Sequence, residues 1–261
     1  MAYQPVAGQP NVVYSGQMSI VNQPGANYGP NQGIPPGLEY LACLDRIVVK
    51  QKIERLEAWL GIEMRNQYSL RNANNQEIYY AAERSDCFAL ACFGSYRGFT
   101  MHVRDHHNQE VITVTRPFKC CTCDSGLACS DCFRAECVVA TAQGVIARVL
   151  ERQSCCSPEY SVKMTEDNYK FKITGPCDCK FLSCGDKKFE IYTSDGNCIG
   201  AITKKWRGFC VEWLTDADLF KVTFPLDLKV TAKAALIGAT FLIDFMHFEQ
   251  PNQAQRRNQN Y

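Results

Sequence analysis

The stretch Lys233-Ala-Ala-Leu-Ile-Gly-Ala-Thr-Phe-Leu-Ile-Asp-Phe-Met-His-Phe-Glu249 is the most apolar in the chain, and it decides how the rest must fold. Read as a helix over 232–248, it carries Leu236, Ile237, Ala239, Thr240, Phe241, Ile243, Phe245 and Met246 on nearly every face. A helix apolar all round has to be buried, in protein or in lipid. A membrane span takes about 20 apolar residues. The uninterrupted run from Ala234 to Ile243 is ten residues long and stops at Asp244. A carboxylate in hydrocarbon is costly, and Arg256 and Arg257 beyond the helix do not suit a translocated tail. The length and the charges favour a helix that plugs a protein interior over a single span with its C-terminus outside.

The chain upstream supplies something for that helix to close. Short alternating runs end at turn residues: Ile62, Met64, Tyr68 and Leu70 before Asn72-Ala-Asn-Asn75, and Phe99, Met101 and Val103 before Asp105-His-His-Asn108. Val162 and Met164 precede Thr165-Glu-Asp-Asn168, Tyr169, Phe171 and Ile173 run to Gly175-Pro176, and Phe189 and Ile191 precede Ser194-Asp-Gly-Asn197. About a dozen strands at such intervals argue an all-β barrel or sandwich. His106-His107 reads as a hairpin tip, and no repeat of fixed period is present.

Just before the apolar helix lies Asp216-Ala-Asp-Leu-Phe-Lys-Val-Thr-Phe-Pro-Leu-Asp227. Calcium takes about six to eight oxygen ligands, which a helix-loop-helix calcium loop offers from places 1, 3, 5, 7, 9 and 12. Those places hold Asp216, Asp218, Phe220, Val222, Phe224 and Asp227. The three apolar residues could give only carbonyls, Lys221 stands where the loop needs glycine, and Asp227 where a longer Glu would chelate. The same Phe220, Val222 and Phe224 alternate as a half-buried strand does. Strand ends flanked by carboxylates would bind calcium weakly.

Of 261 residues, 28 are Lys or Arg and 27 are Asp or Glu, so no global field points to nucleic acid. Residues 1–36 hold six of the eleven prolines, with Gln, Asn, Gly and Tyr, and no charge before Glu39. Such a segment cannot bury enough apolar area to order itself. It is read as a disordered region through which protein partners would bind, followed by a domain over 37–249 and a polar tail over 250–261. The first residues lack the charged and apolar blocks of a secretory signal. The sixteen cysteines are then those of a reducing compartment. Cys120-x-x-Cys123 and Cys129-x-x-Cys132 would offer four thiolates to zinc, although five residues between the pairs is shorter than usual. Cys155-Cys156, Cys177, Cys179 and Cys184 are read as core or turn thiols. No P-loop, G-x-S-x-G or H-E-x-x-H occurs, so no covalent chemistry is expected.

Leu214-Thr-Asp-Ala-Asp218, Phe224-Pro-Leu-Asp-Leu228, Lys233-Ala234 and Phe241-Leu-Ile-Asp-Phe-Met246 together resemble the C-terminal signature of the phospholipid scramblases. Pro35-Pro-Gly-Leu-Glu-Tyr-Leu41, Arg116-Pro-Phe-Lys-Cys120, Ile173-Thr-Gly-Pro-Cys177, Phe189-Glu-Ile191 and Gly200-Ala-Ile-Thr-Lys-Lys-Trp206 continue the likeness, in order, across 35–249. The resemblance implies a tubby-like fold, a closed antiparallel barrel of about twelve strands around one hydrophobic C-terminal helix. It implies calcium as the cofactor and ATP-independent movement of phospholipids between leaflets, at the cytoplasmic face of the plasma membrane. It implies thioester-linked palmitate on Cys120, Cys121 and Cys123, and less directly on Cys129 and Cys132, because Asp124-Ser-Gly-Leu-Ala128 interrupts the cluster. It also implies a nuclear import segment around Lys204, Lys205, Trp206 and Arg207, with a nuclear pool when acylation is absent. The Pro-rich interaction motifs of many scramblases are missing: no PxxP occurs, and Pro35-Pro36 leads into Gly-Leu. A competing reading is a palmitate-tethered adaptor or regulator that moves no lipid.

Overall fold

The computed structural model describes residues 33–52, 66–84, 97–118, 134–167, 169–177, 185–206 and 219–248. Twelve strands form a closed antiparallel barrel in which each strand pairs with its sequence neighbours and the last pairs with the first. They are β1 (Arg46–Lys52), β2 (Gln67–Arg71), β3 (Glu77–Arg84), β4 (Phe99–Arg104), β5 (Glu110–Arg116) and β6 (Glu136–Thr141). The circuit continues through β7 (Gly144–Arg152), β8 (Glu159–Met164), β9 (Lys170–Thr174), β10 (Lys187–Thr193), β11 (Cys198–Lys204) and β12 (Leu219–Thr223). A one-turn helix, α1 (Glu39–Ala42), leads into β1, and α2 (Val230–His247) follows β12.

Period-two alternation builds the wall. Ile47 and Val49, Met101 and Val103, Phe171 and Ile173, and Phe189 and Ile191 all turn into the lumen and are fully or almost fully buried. Closure satisfies the backbone that an open sheet would leave at its edges. Every residue of α2 from Val230 to Phe245 is buried, so the apolar helix is the barrel's core. It begins two residues earlier than the sequence suggested and ends one earlier. By length and composition it could cross a bilayer, but its surface is already covered by strands. Gly238 marks the closest approach: a Cβ there would stand 2.4 Å from Cγ2 of Val139 in β6. The Cys137 thiol beside it points at the Gly238 carbonyl, and burial pushes that thiol up to about 12.

The two rims differ. At one, the described connections are tight hairpins. The Asn72 carboxamide oxygen accepts the N–H groups of Asn74 and Gln76, and the Asp105 carboxylate accepts those of His107 and Gln109. Asn75 and Asn108 supply the positive φ of 62° and 61° that these turns need. His106 and His107 sit in the second of these turns. The odd-numbered strands all end at the other rim, which receives the longer connections and the C-terminus of α2.

Candidate functional site

The acidic segment is built around β12. Phe220 pairs with Val49 of β1 and Lys204 of β11, and Val222 with Ile47 and Ile202. Both side chains are fully buried, and the Phe224 N–H donates to the Asp45 carbonyl. Asp227 is exposed in the turn between β12 and α2. At about 3.3 Å per residue, β12 separates its own ends by roughly 13 Å. A helix-loop-helix calcium loop wraps all its ligands round one ion. Residues 219–223 instead run straight as β12, commit Phe220 and Val222 to a sheet, and turn only at 226–227, so these described residues do not wrap round one ion as such a loop does. Alternation decided the conformation, because a strand was needed to close the barrel between β11 and β1. Asp216 and Asp218 lie outside the described residues. Among the described residues, no group of three or more His, Cys, Asp or Glu side chains is placed to hold a metal ion.

Both ends of α2 carry buried polar chemistry. Near its N-terminus Lys233 is fully buried, and its ammonium donates to the carbonyls of Leu41, Leu44 and Leu226 at 2.9, 2.8 and 2.8 Å and of Ala42 at 3.3 Å. The Phe224 ring lies 5.3 Å from the same nitrogen. Burial pulls the Lys233 ammonium down to about 8, against the attraction of Asp227 and Asp45. The carbonyl dipoles also favour its charged form. Nearby, the bond from Arg46 holds the Asp45 carboxyl below its ordinary value. Lys233 therefore ties α2 to α1 and to the turn preceding α2.

At the C-terminal end, the Tyr68 hydroxyl donates to Asp244 at 2.6 Å, and Tyr160 meets His247 Nε2 at 2.6 Å. Burial pushes the Tyr160 phenol well above its ordinary value. The buried Arg97 guanidinium grips Glu83 with Nε and Nη2 at 2.8 and 2.9 Å and lies 4.8 Å from the Phe245 ring centre. The acid that argues against a lipid-facing helix is thus matched by a partner inside the barrel. These partners are far apart in sequence, Tyr68 from Asp244 by 176 residues, so no local pattern announced them.

Of the basic segment, Lys204 closes β11 with its ammonium 4.1 Å from the Phe248 ring centre, and Lys205 bonds Asp186. The Trp206 N–H donates to Asp186, and its side chain is exposed. Arg207 lies outside the described residues, as do Cys120, Cys121, Cys123, Cys129 and Cys132. Their flanking strands, β5 and β6, face each other at the rim of long connections. Cys155, Cys156 and Cys177 are exposed in connections at that same rim, so they are turn thiols and not core thiols.

What these residues define is a β-barrel plugged by its own C-terminal helix, which fills the lumen and is tied by buried polar contacts near both of its ends. The scramblase family model matches residues 25–250. The chain is 41% identical to human phospholipid scramblase 1 over 231 residues, which covers 88% of this chain and 71% of that protein. It is 37% identical to bovine phospholipid scramblase 2 over 252 residues, with 95% and 81% covered. Human phospholipid scramblase family member 5 is 37% identical over 86% of this chain. No solved structure matches it. The chain belongs to the scramblase family.

Proposed function

We propose that this protein promotes calcium-dependent, ATP-independent, bidirectional movement of phospholipids between bilayer leaflets. The observation that carries the reading is the family match across nearly the whole described barrel. A headgroup needs a polar path through about 30 Å of hydrocarbon, and α2 fills the lumen. The path therefore runs along the outside of the barrel, with lipid and protein meeting at its surface. Calcium binds at carboxylates flanking β12, Asp216 and Asp218 before it and, as a separate contact, Asp227 after it, with weak affinity for so few acidic ligands at either end. Purified full-length protein in vesicles carrying a fluorescent phospholipid should expose inner-leaflet probe to an impermeant quencher on calcium addition, without ATP. Asp218→Ala combined with Asp227→Ala should raise the calcium needed. No calcium-triggered exposure would reject the activity.

The filled lumen favours a second reading, a membrane-tethered adaptor that binds partners and moves no lipid. Both readings place the protein at the cytoplasmic face of the plasma membrane, held by acyl chains on Cys120, Cys121, Cys123, Cys129 and Cys132. Stable anchoring takes more than one chain. Replacing Cys120, Cys121 and Cys123 by Ser should release the protein to the soluble fraction. An unacylated pool would be free to reach the nucleus through the segment around Lys204–Arg207. Vesicles that bind the protein but show no lipid exchange would select the adaptor.

A further inference from the structure

We propose that the outer wall of β7, β8 and β9 is an anion site for a compact ligand that carries two or more phosphates side by side. Three cations stand there in one row: Arg148 is directly opposite Lys163, and Lys163 directly opposite Lys170. All three are exposed, while their chain neighbours Val149, Val162 and Phe171 are buried, so the row faces outward. Like charges directly opposed across strands destabilise a sheet. Among the described residues, none of the three is in an ion pair. No other row of opposed residues in the described strands holds three like charges. An anion laid across the row turns that repulsion into attraction at every cation.

The surroundings of the row set the size of the ligand. Strands about 4.8 Å apart put the backbones of the outer two cations roughly 10 Å from each other. The basic strip is short. At one end Glu166 and Asp167 in the β8–β9 turn and Asp195 in the β10–β11 turn are exposed, with Asp167 taken up by Lys229. Towards the other, Glu159 faces Arg152 and pairs with Lys172, and Glu190 holds Lys188. A nucleic-acid strand would have to cross these carboxylates. A protein interface wants an apolar core, and no large apolar side chain of β8 or β9 is exposed. Clustered phosphates on one small molecule fit between the acids, and guanidinium and ammonium groups bind phosphate well. The charged stretches outside the described residues join odd-strand ends or α2 at the opposite rim. Those at the row's end of the barrel, 1–32 and Asn168, hold no Lys, Arg, Asp or Glu. The site goes beyond the lipid-movement reading and does not depend on it. A free inositol polyphosphate and the phosphorylated headgroup of an inositol lipid offer it the same chemistry.

The test is calorimetry on the full chain with inositol hexakisphosphate, with inorganic phosphate, and with phosphatidylcholine vesicles that contain or lack phosphatidylinositol bisphosphate. The hexakisphosphate should bind wild type about tenfold or more tighter than inorganic phosphate does, since it gains at least one further charged hydrogen bond. That binding should weaken as salt is raised. Lys163→Gln removes the middle cation and should weaken it by about tenfold. The same variant without ligand should melt higher than wild type, because both opposed pairs lose their repulsion. Weaker binding by a more stable protein separates the site from a folding defect. Lys188→Gln, on the same wall but held by Glu190, should leave the affinity unchanged. Vesicle binding that needs the bisphosphate and falls in Lys163→Gln would identify a lipid headgroup as the source, and binding of the hexakisphosphate alone a free ligand. Wild type that binds neither would overturn the site. So would equal affinity for inorganic phosphate, or equal losses in Lys163→Gln and Lys188→Gln.

Discussion

Lys233 carries the most consequence at the scale of single residues. Its ammonium satisfies carbonyls from α1, the segment after it and the turn before α2, so one side chain closes the barrel's hairpin end. Lys233→Met keeps the stem but leaves buried carbonyls without that donor, each worth about 1–3 kcal/mol. The expected loss is at least about 3 kcal/mol in urea unfolding, whereas a surface lysine would give almost none. The pH dependence follows from burial. An ammonium held near 8 when folded, against an ordinary value of 10.5, binds fewer protons in the folded than in the unfolded chain between those values. Its burial cost is fully present below about 8 and is relieved as pH rises through that window. Wild type should gain stability relative to Lys233→Met between pH 8 and 10.5. A flat or falling difference would mean that the four carbonyls hold the ammonium near its ordinary value.

Among the elements, α2 and its strands fit too closely for added volume. Gly238→Ala should raise helix propensity by about 1 kcal/mol, yet its Cβ would collide with the branched Val139 side chain. Overpacking of this kind costs about 1–3 kcal/mol, so the net change should be a loss or near zero. A clear gain in thermal midpoint would show that β6 yields easily. Much of this element was legible in advance. The ten-residue apolar run and Asp244 marked a buried helix, and alternation at Phe99, Phe171, Phe189 and Phe220 marked strands facing it. What sequence could not supply was pairing at a distance. Asp244 announces only that a partner must exist, and Tyr68 is one alternating strand residue among many. The acidic segment was ambiguous for a physical reason: Asp216, Asp218 and Asp227 match calcium spacing, while the residues between them match a strand. The sheet register resolves the conformation of Phe220 and Val222. The cysteines at 120–132 and the acids at 216 and 218 lie outside the described residues, and the readings made of them come from spacing and from the family resemblance.

For the whole molecule, a barrel without its plug is a wall of inward apolar side chains around empty space. A chain ending at Thr231 should therefore fail to give a soluble, cooperatively melting domain. Isolation of such a domain would show that the strands close on themselves. The central claim, that the one long apolar helix is the barrel's core and not its membrane anchor, is tested most directly at Phe241. Its ring is fully buried and lies 5.1 Å from that of Tyr68. In detergent-free buffer, Phe241→Ala should lower the unfolding free energy by about 3–5 kcal/mol. Unfolding indistinguishable from wild type would place that ring in lipid and contradict the account.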